Sequence, residues 1–180
     1  KIRILSSLCF HTLISKNNIL IDGIYNIENK DIINAKKLGY RIKLLGITEI
    51  INKNIFERVH PCLVDINSYI GNINGVFNAS IINSSPVGQT IMQGEGAGPG
   101  PTSSALMSDL YSILRGNIKY PFITPYKLRK RIRQFNHLNY SYSCYLRFEV
   151  VDKPGVLSSI TKNLGENKIS IEKLMQIPDK

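Results

Sequence analysis

The sequence predicts an α/β (α+β) fold: a mixed sheet covered by helices, followed by a small, partial β-α-β module. Three observations carry this reading. Helical and alternating apolar patterns interleave over residues 1–116. Composition then shifts to a Pro-containing, basic and Asn-containing stretch over residues 117–142. A fresh strand, turn, helix and strand pattern occupies 143–180. With 43% hydrophobic residues the chain has apolar surface for a packed core, which excludes a disordered polypeptide.

Each element has its own signal. Ile2, Ile4, Leu5, Leu8 and Cys9 recur at helical spacing, so a buried amphipathic helix is expected to about His11. A short apolar run follows from Ile19 to Ile24. Ile32, Ile33, Ala35 and Leu38 predict a helix capped by Asn29 and stopped by Gly39. Tyr40 to Ile51 alternates as a strand, and Glu57 to Leu63 predicts a second one, in which Pro61 marks an edge or a bulge. Ile66 to Ile70 reads as a turn or short helix. Gly75 to Ile82 reads as a strand, and Val87 to Met92 as its continuation of the sheet. Ala105, Leu106, Leu110, Ile113 and Leu114 form one face of a helix over 102–115 with Thr102 at its N-cap.

The later region divides in two. Residues 117–142, with Pro121, Pro125 and the cluster Lys127 to Arg133, are expected to be a linker. Beyond it, Tyr145 to Val151 alternates as a strand, Asp152 to Gly155 turns, Val156 to Gly165 fits a helix, and Lys168 to Met175 begins a second strand. Such a unit needs sheet partners from elsewhere.

Composition narrows the function classes. Lys+Arg 23 against Asp+Glu 13 leaves a net charge of +10, yet no zinc-finger spacing, RNP-like aromatic pattern or phosphate loop accompanies it. The basic cluster therefore reads as a solvated face, and no nucleic-acid partner is expected. Cys9, Cys62 and Cys144 form no close pair, which fits a reducing compartment. No apolar run reaches the roughly 18–20 residues of a membrane span, so no membrane partner is expected and the reading is cytoplasmic. His11, His60 and His137 stand at no metal-ligand spacing, and no metal site is expected. The chain opens without Met and already in apolar rhythm, so it is expected to begin inside a larger protein.

Two features carry chemistry. The segment Gly94-Glu-Gly-Ala-Gly-Pro-Gly-Pro-Thr102 leads straight into a helix. Missing side chains let a ligand approach its backbone, and helix-start N–H groups favour an anion such as pyrophosphate; a plain strand-to-helix turn uses the same residues. Lys1, on the first turn of an apolar helix, is either a proton donor facing a cleft or a surface residue covering the core with its stem.

The motifs combine into something more specific. Lys1-Ile-Arg-Ile-Leu-Ser-Ser-Leu-Cys-Phe-His-Thr12, Asp22-Gly-Ile24, Ala35-Lys-Lys-Leu-Gly-Tyr40, Val59-His-Pro61, Asn74-Gly-Val-Phe-Asn-Ala79 and Gly94-Glu-Gly-Ala-Gly98 with Pro101-Thr-Ser-Ser-Ala105 resemble, in order and spacing, the catalytic domain of homoserine dehydrogenase. The resemblance covers roughly residues 1–116. Asp152-Lys-Pro-Gly-Val-Leu157 with Tyr145-Leu-Arg147 and Ile169-Ser-Ile171 resembles the first part of an ACT domain.

The resemblance implies reversible reduction of L-aspartate 4-semialdehyde to L-homoserine with NADH or NADPH, on the route to threonine and methionine. It implies that Lys1 is the catalytic proton donor and that Gly98, flanked by Gly96 and Ala97, contacts the NADP or NAD cofactor. The nucleotide-binding domain and the acidic substrate-binding residues would precede Lys1, so these 180 residues alone are expected to be inactive. A homo-oligomer and threonine as an effector of the ACT module are further implications. The alternative is a non-catalytic amino-acid sensor, in which the dehydrogenase-like body serves as a dimerisation scaffold.

Overall fold

A computed structural model describes residues 1–13, 19–117 and 124–177. Pro121 of the expected linker and the last three residues of the expected module lie outside them. The body is a three-stranded sheet in the order β1-β3-β2, built from β1 (Leu20–Ile21), β2 (Tyr40–Ile51) and β3 (Asn54–Asp65). β2 and β3 form one long antiparallel hairpin, in register from Tyr40↔Asp65 to Ile51↔Asn54. Asn52 and Lys53 turn the chain with φ of 48° and 63°, the two left-handed residues that a two-residue hairpin turn requires. β1 adds parallel to the other edge of β3 at Arg58 and Val59. Pro61 lies just beyond that pairing and the ladder to β2 runs through it one-to-one, so of the expected edge or bulge it is the edge that is found.

Two helices cover this sheet. α1 (Ile2–Phe10) ends at His11, whose φ of 50° is left-handed. The expected length holds, but the buried face differs from the apolar stripe. Ile2, Ser6 and Ser7 are buried, whereas Ile4, Leu5 and Leu8 are exposed. The reason is close approach. Ile2 Cδ1 lies 3.4 Å from where Gly46 would carry a Cβ, and the Ser6 and Thr48 hydroxyl oxygens are hydrogen-bonded at 2.8 Å. Small residues on both surfaces bring helix and strand together, and Ser6 also donates to Ile2 O at 3.0 Å, so its hydroxyl is satisfied.

α2 (Asn29–Lys37) is capped by Glu28, not by Asn29. The Glu28 backbone N–H donates to Asp31 Oδ2 at 2.9 Å, so Asp31 in the first turn fixes the start from the inside. Ala35 is buried beneath the helix. Gly39, at φ 87°, ends it as expected.

β4 (Phe77–Ser84) and β5 (Gly88–Glu95) form a second antiparallel sheet, in register from Phe77↔Glu95 to Ser84↔Gly88. They do not continue the first sheet. Their Ile81 and Gln89 share a shallow groove with the 64–70 loop. α3 (Pro99–Leu114) follows; its N-cap is Gly98, not Thr102, because Pro99 and Pro101 supply the fixed φ of a first turn. No residue of α3 is buried: Leu106, Ile113 and Leu114 are 65%, 65% and 71% exposed.

Part of the stretch expected as a linker is docked on the body. Ile55 N–H donates to Arg133 O and Phe135 N–H to Ile55 O, each at 2.8 Å. Thr12 Oγ1 donates to Lys130 O at 3.0 Å and accepts from Ile132 N–H at 3.1 Å. The segment lays Phe135 and Tyr140 on the buried Phe56, with ring centroids 5.4 and 5.0 Å away. The Arg58 guanidinium sits 4.5 Å over Phe56 and is paired with Glu49. These rings and the guanidinium form one cluster that joins the 130–140 segment to the sheet.

In the final stretch α4 (Val156–Glu166) forms where a helix was expected. The strands expected over 145–151 and 168–175 carry no ladder pairing among the described residues. Two extended segments joined by one helix ladder only when they are adjacent or a third strand lies between them, and the described residues supply no third.

Candidate functional site

Lys1 is the N-cap of α1, and its backbone carbonyl accepts from Ile4 and Leu5 N–H at 2.9 and 3.2 Å. Its side chain is exposed and engages no partner among the described residues. It stands at the positive end of the α1 peptide dipoles, a position that favours a negatively charged ligand over a bare cation. Ile2, the next residue, is wedged against Gly46, so the backbone beneath Lys1 is anchored to the sheet.

The glycine segment connects β5 to α3. Gly96 N–H donates to Val76 O at 3.1 Å, closing the end of the β4–β5 ladder. Gly98 has φ 120°, a region that side chains other than hydrogen rarely occupy. A Cβ at Gly94 or Gly100 would meet no atom within 4 Å, so the backbone is open at these two positions, whereas at Gly96 it would meet Asn78.

The helix start is poorer in donors than the sequence suggests. Of the four N–H groups that a helix N-terminus leaves free, Pro99 and Pro101 remove two, and Gly98 and Gly100 remain. Lys1 and the Gly96–Gly98 segment lie on different elements: α1 packs on β2 and β3, whereas Gly98 caps α3 beyond the second sheet. Among the described residues no hydrogen bond or ion pair joins them.

Sequence reasoning missed two constellations. The first fastens residues 145–149 to α2. Asp31, 5% exposed, accepts from Arg147 Nε at 2.8 Å and from the Tyr145 hydroxyl at 3.1 Å. Arg147 also meets Glu28 at 2.9 Å, and Lys30 meets Glu149 at 3.3 Å. Burial raises the Asp31 pKa, but the Glu28 N–H, the Tyr145 hydroxyl and Arg147 outweigh it and hold the carboxyl below its usual range. Burial also pushes the Tyr145 hydroxyl up. The second is Asn78, whose side-chain amide lies against Gly96. Hairpin register was its available signal, because Asn78 pairs with Gly94.

His60 and Cys62 share one face of β3, with Sγ 3.4 Å from Nδ1. Burial raises the Cys62 pKa against the pull of Arg58, so the group is a thiol, not a nucleophilic thiolate. Among the described residues no three His, Cys, Asp or Glu gather in a metal-binding group. None of the described helices is long and apolar enough to cross a membrane.

Comparison with known proteins decides the family. A family model described as homoserine dehydrogenase matches residues 1–111. The chain belongs to the homoserine dehydrogenase family. A homoserine dehydrogenase of Neisseria gonorrhoeae is 36% identical over 184 residues, and one of Helicobacter pylori is 37% identical over 178. Each alignment covers 98% of this chain, but only 42% and 41% of those homoserine dehydrogenases. The chain thus spans about two-fifths of the length of the curated relatives it matches. The solved homoserine dehydrogenase of Thiobacillus denitrificans superposes with a TM-score of 0.72 at 32% identity, over 98% of this chain and 42% of that one. That of S. aureus gives 0.59 at 31% identity, over 71% and 31%.

Proposed function

We propose that this chain is the portion of a homoserine dehydrogenase that carries the proton donor and one wall of the cofactor cleft, in an enzyme that interconverts L-aspartate 4-semialdehyde and L-homoserine. The observation that carries it is the family match over residues 1–111, which spans both Lys1 and the Gly96–Gly98 segment. Lys1 gives an Nζ proton to the carbonyl oxygen of the semialdehyde as the carbonyl carbon is reduced, and then recovers a proton from solvent. In the reverse direction the neutral amine takes the hydroxyl proton of homoserine.

A nicotinamide dinucleotide, when bound, supplies or accepts the hydride. The residues present fit such a group in part. Gly94 and Gly100 have open space at the Cβ position, Gly98 meets only Pro101 Cδ there at 3.7 Å, and the Gly98 and Gly100 N–H groups are free to donate, whereas the Asn78 amide lies against Gly96; a complete dinucleotide site needs further residues. Choice between NAD and NADP rests with those residues. The proposed organisation is a catalytic body over 1–116, a connector over 117–142 docked on that body, and an ACT-like regulatory module over 143–180. The bonds from Tyr145 and Arg147 to Asp31 support communication between module and body. Threonine as effector, a homo-oligomeric state and a cytoplasmic location complete the reading.

The test is semialdehyde-dependent oxidation of NADPH or NADH by the protein expressed from the complete reading frame that carries these residues. Lys1→Ala is expected to lower kcat by about 10²–10⁴ with a smaller change in cofactor binding. A variant that keeps the full rate removes Lys1 from the chemistry.

A further inference from the structure

Asn78 stands on β4 directly opposite Gly94 of β5. Residues two apart on a strand share a face, so Gly94 and Gly96 together leave the strip beside Asn78 without side chains. The amide occupies that strip. A Cβ built on Gly96 would overlap Asn78 Nδ2 and lie 2.6 Å from Cγ, which no folded arrangement tolerates without moving the amide. Gly96 itself is not in the left-handed region, so its backbone would accept alanine; Gly98, at φ 120°, would not. The two glycines are thus required for different reasons, one by its own torsion and the other by its neighbour.

The amide brings one acceptor and two donors, and none is engaged among the described residues. It is exposed, on the surface beside the loop where the two prolines have withdrawn N–H groups. The nearest non-neighbouring atom that a Gly98 Cβ would meet is Pro101 Cδ at 3.7 Å, and the loop backbone is hydrogen-bonded from Gly96 N–H to Val76 O and from Thr102 N–H to Gly98 O.

We propose that Asn78 is a positioning residue for the glycine loop: its carboxamide braces Gly96 and thereby sets the backbone of Ala97 and Gly98 for a dinucleotide. The inference rests on the cofactor role proposed above for those residues. Alanine at position 96 acts by evicting the amide, so Asn78→Ala and Gly96→Ala remove the same interaction, and the pair behaves as one unit.

The experiment uses the protein from the complete reading frame, as wild type, Asn78→Ala, Gly96→Ala and the double variant. Hydrogen exchange of the 94–98 amides and NADPH binding by its fluorescence are measured alongside steady-state kinetics. Each single variant is expected to speed exchange in the loop and to weaken NADPH binding and raise its KM by about fivefold, with kcat within about twofold. The double variant is expected to be no worse than the worse single. Unchanged exchange in Asn78→Ala overturns the proposal, as does a double variant whose effects multiply. A wild-type protein that binds neither NADPH nor NADH overturns the cofactor reading instead, and the exchange comparison still decides whether Asn78 braces the loop.

Discussion

The β1–β3–β2 sheet and the unit formed by β4, β5 and α3 differ in how they satisfy their apolar residues. In the first, α1, α2 and the 130–140 segment cover the strands, and Ile2, Ala35, Ile55 and Phe56 are buried. In the second, none of the described residues covers α3, whose Leu106, Leu110, Ile113 and Leu114 are all exposed. Exposed apolar stripes of this kind mark surfaces that another body covers. The catalytic candidate Lys1 is seated on the finished half, whereas the cofactor candidates Gly96–Gly98 sit on the half that depends on something else.

Substitutions can break or sharpen this contrast, and the largest effect is expected at Phe56. Phe56→Ala removes the ring on which Phe135, Tyr140 and the Arg58 guanidinium converge, and is expected to cost about 3–5 kcal/mol in urea unfolding of the chain. A loss below about 1 kcal/mol would show that the sheet half is no better packed than α3.

Next comes Asp31→Asn, expected to cost about 1–3 kcal/mol by weakening the bonds from Arg147 and Tyr145. The sign with pH follows from the lowered carboxyl pKa. The Asp31 contribution is complete above the unfolded value of 3.8 and disappears as pH falls through the lower folded value. The stability gap between wild type and Asp31→Asn should therefore be constant from pH 5 to 7 and should close under acid, as followed by unfolding at several pH values. A gap that widens under acid would refute the tether.

The smallest effect is expected on α3. Leu106→Gln, at a position 65% exposed, should shift the stability of this chain by less than about 0.5 kcal/mol. A loss comparable to that of Phe56→Ala would mean that α3 is covered after all.

Periodicity located most elements because it reports where a chain alternates or spirals. Tyr40 to Ile51 and Val156 to Gly165 are read almost to the residue. It failed where burial is decided by size and not by hydropathy: Ser6 and Ser7 lie inside because Gly46 admits the helix, and the apolar Ile4 and Leu5 are left outside. Caps were misplaced where a neighbouring residue competes. Asp31 reaches back to Glu28 N–H ahead of Asn29, and Pro99 starts α3 before Thr102.

The candidate site residues, Lys1 and Gly96 to Gly98, come from ordered motifs. The partners of the site do not. The bond from Asp31 to Arg147 spans 116 positions, and the abutment of Asn78 on Gly96 needs the hairpin register. Interactions set by tertiary approach leave no local pattern to read.

The 130–140 segment has a consequence for where this protein can be cut. The likeness to the family model stops at residue 111, yet the sheet hydrogen bonds of Ile55 and the rings that shield Phe56 come from Arg133, Phe135 and Tyr140. A truncation after Gly116 would retain every matched residue while baring a sheet edge and a large aromatic surface together, the combination that drives chains to stick to one another. The end of the family-model match and the end of the segment that completes this sheet are therefore about 30 residues apart here.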